Sequence, residues 1–272
     1  EKGIAAPQGA AAASETAQAI ARSLLGGERK AVLLGNAAAH HAQASQLLAL
    51  ANWIGENTGA SVGYLTEAAN TVGAQFVGAH PVNGGLNAGQ MLSGGLKAAL
   101  LLNTEPVYDS AAGASAAATL SGADMVITLS PFKANMEFSD VLLPIAPFTE
   151  TSGSFVNAEG RLQSFHAVVR PLGDTRPAWK VLRVLANLLG VPGFDFETSQ
   201  DVVARATNAP AGSVTQLPAA QLSNAVKAVS AAAAVVGEPV VASIYQLDGL
   251  VRRSTSLQLT ADARMAREGV AA

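Results

Sequence analysis

The stretch DVLLPIAPFTETSGSFVNAEGRLQ, residues 140–163, is the part of the sequence that best defines the fold. It opens with the apolar run VLL at residues 141–143, which is typical of a short strand buried on both faces. Pro144 and Pro147 interrupt the strand pattern, because proline cannot donate a hydrogen bond to a neighbouring strand. The polar sequence NAEGR follows at residues 157–161. An apolar scaffold is therefore followed directly by side chains that can hydrogen-bond a ligand or a partner.

Similar apolar runs precede this stretch and alternate with helical patterns. The predicted strands are residues 31–34, 61–65, 97–102, 125–129 and 141–144, and the predicted helices between them are residues 37–57, 67–76 and 111–120. This alternation predicts an α/β fold, a doubly wound and mostly parallel sheet flanked by helices with right-handed crossovers. Ligands of such sheets bind beyond the carboxyl ends of the strands, so functional residues are expected there.

After residue 153 the pattern changes to a hairpin and further helices. Two extended segments, residues 154–157 and 162–168, flank a Glu159-Gly160 turn and predict a β-hairpin. Further predicted elements are helices over residues 14–25, 177–189, 199–207, 217–236 and 246–253, and a strand over residues 240–245. We expect three parts, which are an N-terminal helical lead-in (residues 1–30), an α/β domain (31–195) and a helical and extended C-terminal extension (196–272).

The composition limits the possible functions. Hydrophobic residues make up 49% and charged residues 14% of the chain, as in a globular protein. The formal net charge of −3 gives no electrostatic reason to expect nucleic acid as a partner. No apolar run reaches about 18 residues, so direct membrane insertion is not expected. The chain has no cysteine, which excludes disulfides, thiolate zinc sites and iron–sulfur ligation by its own residues.

Charge is distributed unevenly along the sequence. Residues 31–150 contain Lys97 and Lys133 but no arginine, together with eight acidic residues. Two interpretations are open. The segment is an alanine-rich core of sheet and helices, or it is a domain whose surface is largely covered by partners.

Several catalytic motifs can be set aside. The G-x-S-x-G match at residues 59–63 follows a predicted helix and precedes a strand, which reverses the context of a nucleophile elbow. Gly35 follows the first strand, but no G-x-G-x-x-G fingerprint starts there, so a free-standing dinucleotide-binding module is the weaker alternative. His40 and His41 are adjacent and point about 100° apart on a helix, which disfavours a shared metal ion. Neither catalytic residues nor a metal site are expected in this chain.

The residues around the opening stretch are the best candidates for a site. Glu159 and Arg161 flank a glycine, Asn157 can hydrogen-bond locally, and Glu150 lies just upstream. One interpretation is a hairpin held by an internal ion pair. The other is a lip beside a strand-end crevice that holds a polar cofactor or a neighbouring subunit.

The same residues carry a family resemblance. The pattern consists of SDVLLP at residues 139–144, FTE at 148–150, GSFVN at 153–157 and EGR at 159–161, with supporting matches NTEP at 103–106, RPAWKVLR at 176–183 and LVRRSTSLQ at 250–258. It resembles the last α/β domain of the molybdopterin oxidoreductase superfamily. Within that superfamily, the closing LVRR segment makes the chain most similar to the large iron–sulfur subunit of bacterial NADH:quinone oxidoreductase, respiratory complex I.

The resemblance implies a structural, non-catalytic portion of an electron-transport subunit. No cofactor is expected in this fragment, and the iron–sulfur clusters are expected in a missing N-terminal part. Implied partners are the other subunits of complex I and the chain's own missing N-terminal domains, in a peripheral position on the cytoplasmic side of the bacterial inner membrane. The alternative is a fragment of a molybdopterin-dependent oxidoreductase that binds a pterin dinucleotide in its strand-end crevice.

In metal-containing relatives the strand-end loops touch the pterin cofactor, whereas the complex I subunit is thought to keep the fold without it. Carried over by position, six residues are the candidates to line a vestigial cofactor crevice. They are Asn103, Glu105, Glu150, Asn157, Glu159 and Arg161.

Overall fold

The computed structural model describes residues 12–226 and 242–268 of the chain. These residues divide into two units by their contacts. Unit 1 takes its residues from Glu1–Val72, Asn157–Gly160 and Leu217–Val241. Unit 2 takes its residues from Gly73–Val156, Arg161–Gln216 and Ala242–Ala272.

Unit 1 contains a two-stranded parallel sheet with helices around it. In chain order its elements are α1 (Glu15–Gly26), β1 (Ala31–Leu34), α2 (Asn36–Ala39), α3 (Ala44–Thr58) and β2 (Ser61–Tyr64). Strand β1 pairs with β2 from Ala31 opposite Ser61 to Leu34 opposite Tyr64. Helix α1 begins after Ser14, whose hydroxyl accepts the backbone N–H of Ala17 at 3.1 Å, as the cap residue in the sequence predicts.

The single helix predicted over residues 37–57 is wrong between α2 and α3. The backbone N–H of Gln43 donates to Nδ1 of His41 at 3.0 Å instead of to a carbonyl one turn back. The side chain of His40 contacts that of Glu67, with 2.6 Å between Nε2 and Oε2. These side-chain contacts compete with the helical ladder and separate the two helices.

Unit 2 contains a three-stranded parallel sheet and an antiparallel hairpin. After α4 (Thr71–Phe76), which begins at the end of unit 1, the elements are α5 (Ala88–Met91), β3 (Ala98–Leu102), α6 (Pro106–Asp109), α7 (Ser115–Ser121), β4 (Met125–Ser130), β5 (Val141–Pro144), β6 (Gly153–Val156), β7 (Leu162–Phe165), α8 (Ala178–Leu188) and α9 (Ser199–Thr207). Strand β4 lies between β3 and β5, and both pairings are parallel. The expected α/β fold with parallel sheets and flanking helices is confirmed.

The main hydrophobic cluster of unit 2 lies on one face of this sheet. Leu120 of α7 and Val126 of β4 are 1% and 0% exposed, and Phe138 packs with them. Leu101 of β3 adds to the same cluster. The central strand β4 buries Val126 and Thr128 on this face and Leu129 on the opposite face, and it has a neighbouring strand on each side.

The predicted hairpin is confirmed as β6 and β7, with Gly153 paired to Phe165 and Val156 to Leu162. A methyl group on Gly153 would lie 2.5 Å from Cζ of Phe165, so only glycine fits opposite this ring. Gly160, in the segment between the strands, has φ of 81° and donates its N–H to the carbonyl of Asn157 at 2.9 Å. This left-handed conformation favours glycine.

The C-terminal part differs from the sequence prediction. A short helix replaces the strand expected over residues 240–245, as far as this segment is described. The helix expected over residues 217–236 is wrong in its described part, where only a 3-10 turn, Ala219–Leu222, is present, and residues 227–236 lie outside the described residues. The C-terminal helices are α10 (Ile244–Leu247), α11 (Gly249–Arg253), α12 (Thr255–Gln258) and α13 (Ala261–Glu268). Ser243 starts α10 by accepting the N–H of Tyr245 at 3.2 Å.

The described part of the chain contains no helix with both the length and the apolar character needed to cross a bilayer.

Candidate functional site

The end of β3 positions the first candidate residues. Asn103 follows the strand with φ of 49° and donates its N–H to the carbonyl of Leu129 at 2.8 Å. Two residues later, Glu105 is the N-cap of α6, which begins at Pro106. Asp109, at the end of α6, accepts the backbone N–H of Glu105 at 2.6 Å. The loop therefore holds Glu105 at the carboxyl end of the sheet.

Two arginines from α11 bind the carboxylate of Glu105. Arg253 approaches it as a fork, with 2.7 Å from Nη1 to Oε1 and 2.9 Å from Nη2 to Oε2. Arg252 places Nη2 at 2.8 Å from the same Oε1 and Nη1 at 3.5 Å from Oδ1 of Asp109. We call Glu105, Asp109, Arg252 and Arg253 the strand-end cluster. Parallel N–H to carboxylate bonds of this kind are the strongest form of ion pair that proteins make.

Aromatic rings hold the two guanidinium groups in place. Arg252 lies 4.5 Å from the ring centroid of Tyr108, and Arg253 lies 4.1 Å from that of Phe132. Helix α11 is itself fixed by Asp248, whose side chain accepts the N–H groups of Leu250 and Val251 at its start. Each guanidinium group is thus bound by a carboxylate and also lies against an aromatic ring.

Partial burial makes the cluster electrostatically significant. The side chains of Glu105 and Arg252 are each 13% exposed, and that of Arg253 is 32% exposed. Burial by itself raises the pKa of Glu105, but hydrogen bonds from Arg253 and Arg252 and their positive charges outweigh it and hold the pKa below its usual 4.5. Glu105 is therefore ionised at neutral pH and bound to two cations.

A second polar group lies at the carboxyl half of β4. The hydroxyl of Thr128, which is fully buried, is 2.8 Å from that of Ser139. Asn135 donates to the carbonyl of Thr104 at 3.0 Å and reaches the Thr128 hydroxyl at 3.4 Å. The buried hydroxyl thus has its hydrogen bonds within the protein, which is what a structural network requires.

Glu150 lies in a different part of unit 2, at the end of a 3-10 turn, Phe148–Glu150. Its Oε2 accepts the backbone N–H of Leu172 at 2.9 Å. Glu150 also lines a cavity of about 550 Å³, together with Arg176 and Trp179. The structure thus places Glu150 and Glu105 among different neighbours.

The hairpin candidates make local backbone contacts. Asn157 accepts the N–H of Glu159 on its side-chain oxygen at 3.1 Å. Arg161 forms an isolated antiparallel bridge with Gln216. Among the described residues, Asn103, Glu105 and Glu150 form no hydrogen bond or ion pair with one another. These three candidates therefore do not form one polar site through direct contacts with one another.

Three residues important at the strand end are absent from the sequence candidates. Arg252 and Arg253 enter the sequence prediction only through the LVRR segment, and Asp109 does not enter it. The sequence feature that could have indicated Arg252 and Arg253 is the charge imbalance of residues 31–150. This segment contains eight acidic residues and no arginine to pair with them. That imbalance predicts that cations come from elsewhere in the sequence.

The strand-end cluster supplies charge and order but no recognisable reactive group. In the described ranges, no group of three or more histidine, cysteine, aspartate or glutamate side chains could hold a metal ion. The fold and the strand-end cluster are those of an α/β protein, the class in which ligands bind at the carboxyl ends of parallel strands.

Comparison with known proteins identifies the family. The family model "Molybdopterin oxidoreductase" matches residues 3–188, which is more than half of the chain. The chain belongs to the molybdopterin oxidoreductase family.

Individual relatives match over a shorter region. The chain is 40% identical over 70 residues to "Probable oxidoreductase YjgC" of Bacillus subtilis (strain 168), covering 26% of this chain and 7% of that protein. It is 40% identical over 80 residues to "Putative formate dehydrogenase" proteins of Staphylococcus aureus strains USA300 and NCTC 8325, covering 28% of this chain and 8% of each relative. The chain thus spans less than a tenth of the length of these relatives.

Proposed function

We propose that this chain is a structural, non-catalytic portion of the large iron–sulfur subunit of a respiratory NADH:quinone oxidoreductase. The supporting observation is the strand-end cluster. The LVRR segment that carries the resemblance to this subunit supplies the two arginines bound to Glu105. The C-terminal segment of the chain therefore contacts the sheet edge at which a ligand is expected in this class of fold.

The charges of this edge are matched within the chain. Glu105 receives three N–H groups from the two arginines, and Arg252 also approaches Asp109. A pterin dinucleotide carries a pyrophosphate, which needs donors that are not already bound to carboxylates. The residues at the end of β3 do not fit that group, because a phosphate bound by Arg252 and Arg253 would have to compete with Glu105 for both guanidinium groups.

The remaining parts of the proposal concern the whole subunit. Electron transfer is assigned to iron–sulfur clusters in an N-terminal part, since the present chain has no cysteine to ligate them. The proposed partners are the chain's own N-terminal domains and the other subunits of complex I. The proposed location is the cytoplasmic side of the bacterial inner membrane, in the peripheral part of the complex.

The proposal is tested by analysing the intact subunit for molybdenum, tungsten and iron, and by measuring pterin fluorescence after oxidation. We expect iron without stoichiometric molybdenum, tungsten or pterin. Iron serves as the internal control for the iron–sulfur clusters, because its presence shows that they survived purification, and pterin fluorescence reports the organic cofactor independently of its metal. Stoichiometric pterin together with molybdenum or tungsten would overturn the proposal.

That contrary result would support the second candidate function, a molybdopterin-dependent oxidoreductase with a pterin dinucleotide in its strand-end crevice. The observation that favours it is the identity of 40% over 80 residues with relatives whose names include formate dehydrogenase. The two candidates also differ in what surrounds Glu105. If the two arginines bound a dinucleotide, the charge of Glu105 would need another partner. In the structural function, Glu105 and the two arginines stay bound to one another.

A further inference from the structure

A cavity of about 550 Å³ in unit 2 lies among residues that the strand-end cluster does not use. Four separate segments of the chain contribute to it, including Glu150, Arg170, Trp179 and Thr198. Its volume falls in the range of cavities that hold small ligands. We call it the basic cavity, because Arg170, Arg176 and Lys180 all line it.

The three cations of the basic cavity are not matched by carboxylates. Within the described residues, none of Arg170, Arg176 and Lys180 forms an ion pair. Two acidic residues, Glu150 and Glu197, also line the cavity, and neither forms an ion pair with the three cations among the described residues. The lining therefore carries one more cation than carboxylates, in a chain whose net charge is −3.

Arg176 is held in position by its own loop. Its Nη1 donates to the carbonyls of Gly173 and Thr175 at 3.3 and 2.7 Å. Its backbone is fixed to the end of β5, since Ile145 pairs with Arg176 and the N–H of Ala146 donates to the Arg176 carbonyl at 2.8 Å. The other two guanidinium nitrogens donate to no acceptor among the described residues. A guanidinium fixed in this way loses little freedom when it binds an anion.

Another wall of the basic cavity is the start of α9. Asp201 accepts the N–H groups of Glu197 and Thr198, and Thr198 accepts the N–H of Asp201 at 3.2 Å. The N–H groups of Ser199 and Gln200, both lining residues, have no acceptor in the part of the chain that the structure describes. They add donors to a site whose main charge comes from the three basic side chains.

Trp179 gives the basic cavity an apolar wall. Its side chain is half-buried, and the ammonium of Lys180 lies 5.4 Å from its ring centroid. A flat indole beside cationic side chains suits a ligand that joins a phosphate to an organic group.

We infer that the basic cavity binds a small phosphate-bearing ligand through Arg170, Arg176 and Lys180. Phosphate matches the donors present because it offers several anionic oxygens to guanidinium, ammonium and backbone N–H groups at once. This inference is independent of the proposed function, since it uses neither the strand-end cluster nor an iron–sulfur cluster.

The experiment uses the full chain with inorganic pyrophosphate as the probe. The chain has two tryptophans, so a Trp53→Phe background leaves Trp179 as the reporter on the cavity wall. Pyrophosphate is titrated at constant ionic strength while Trp179 fluorescence is recorded. We expect a saturable change with a dissociation constant tighter than about 1 mM, and binding at least about tenfold weaker in Arg176→Gln/Lys180→Gln.

The control is Arg205→Gln, which removes one of the two positive charges that the double variant removes, but from the last turn of α9, where Arg205 is exposed. Its affinity is expected to stay within about twofold of the parent. If the Arg176 change prevents folding, Arg170→Gln/Lys180→Gln replaces it, because neither of these side chains forms a hydrogen bond among the described residues, unlike Arg176. Absence of a saturable change, or equal weakening by Arg205→Gln, would overturn the inference.

Discussion

The strand-end cluster and the basic cavity use the same kinds of side chain in opposite ways. In the cluster, two arginines meet one glutamate at 2.7 to 2.9 Å, and an aspartate lies close to one of them. In the cavity, three cations face two carboxylates and pair with neither. Charges matched within a chain hold its segments together, whereas unmatched charges around a cavity favour an external anion.

The comparison also separates two roles that a strand-end residue can take in this fold. Glu105 follows a parallel strand, as a ligand-binding residue would, yet its carboxylate is bound by the C-terminal helix α11. Glu150 follows a later strand and lines open volume. Position in the sheet is therefore not enough to assign function, and the partners of each side chain decide it.

The largest expected effect comes from removing the centre of the strand-end cluster. Glu105→Ala should lower the free energy of unfolding by about 2–3 kcal/mol, because it leaves two half-buried guanidinium groups without their carboxylate. Urea denaturation of the variant and parent measures this change. A loss below about 0.5 kcal/mol would show that the cluster does not stabilise the chain.

A smaller effect is expected from a change that involves no charge. Gly160→Ala should cost about 1–2 kcal/mol, because φ of 81° is unfavourable for alanine. Its cost should be the same at low and high salt, unlike that of Glu105→Ala, which makes it the reference for separating backbone from electrostatic effects. An unchanged melting temperature would contradict the left-handed turn.

The stability of the strand-end cluster should also depend on pH. Since the folded pKa of Glu105 is lowered, the unfolded chain binds the proton more readily. This stabilisation is present above the usual value of 4.5 and is lost as pH falls from there through the folded pKa. Melting temperatures between pH 6 and 3 should therefore fall less steeply for Glu105→Gln, which cannot titrate, than for the parent. Parallel curves would contradict the prediction.

The smallest effect is expected for the cations of the basic cavity. Lys180→Gln should change the free energy of unfolding by less than about 0.5 kcal/mol, because the exposed ammonium has no carboxylate partner among the described residues. Arg253→Gln removes the same charge from the cluster and should cost clearly more. Equal losses for the two variants would remove the distinction between the cluster and the cavity.

Much of the sheet could be predicted from local sequence. The apolar runs locate β1, β4 and β5, and the glycine-centred turn locates the β6–β7 hairpin. These elements are defined by patterns within a few residues, which the sequence displays directly. The strand predicted over residues 240–245 is wrong in its described residues, 242–245, because Ser243 caps a helix through a local hydrogen bond that an apolar run does not reveal.

The strand-end cluster could not be predicted in the same way. Glu105 and Arg253 are 148 residues apart, and a contact at that separation leaves no periodic pattern in the sequence. The family resemblance covers both segments but gives no reason to pair them. The six residues proposed to line a vestigial crevice therefore stay a prediction, of which Glu105 now has identified partners.

The central claim is that the C-terminal arginines bind Glu105 and so occupy the strand end. A double-mutant cycle of Glu105→Ala and Arg253→Ala measures this most directly, with Glu105→Ala and Arg205→Ala as the control pair. We predict a coupling free energy of about 1–2 kcal/mol for the first pair and additive effects for the second. Additive effects for Glu105 and Arg253 would contradict the claim.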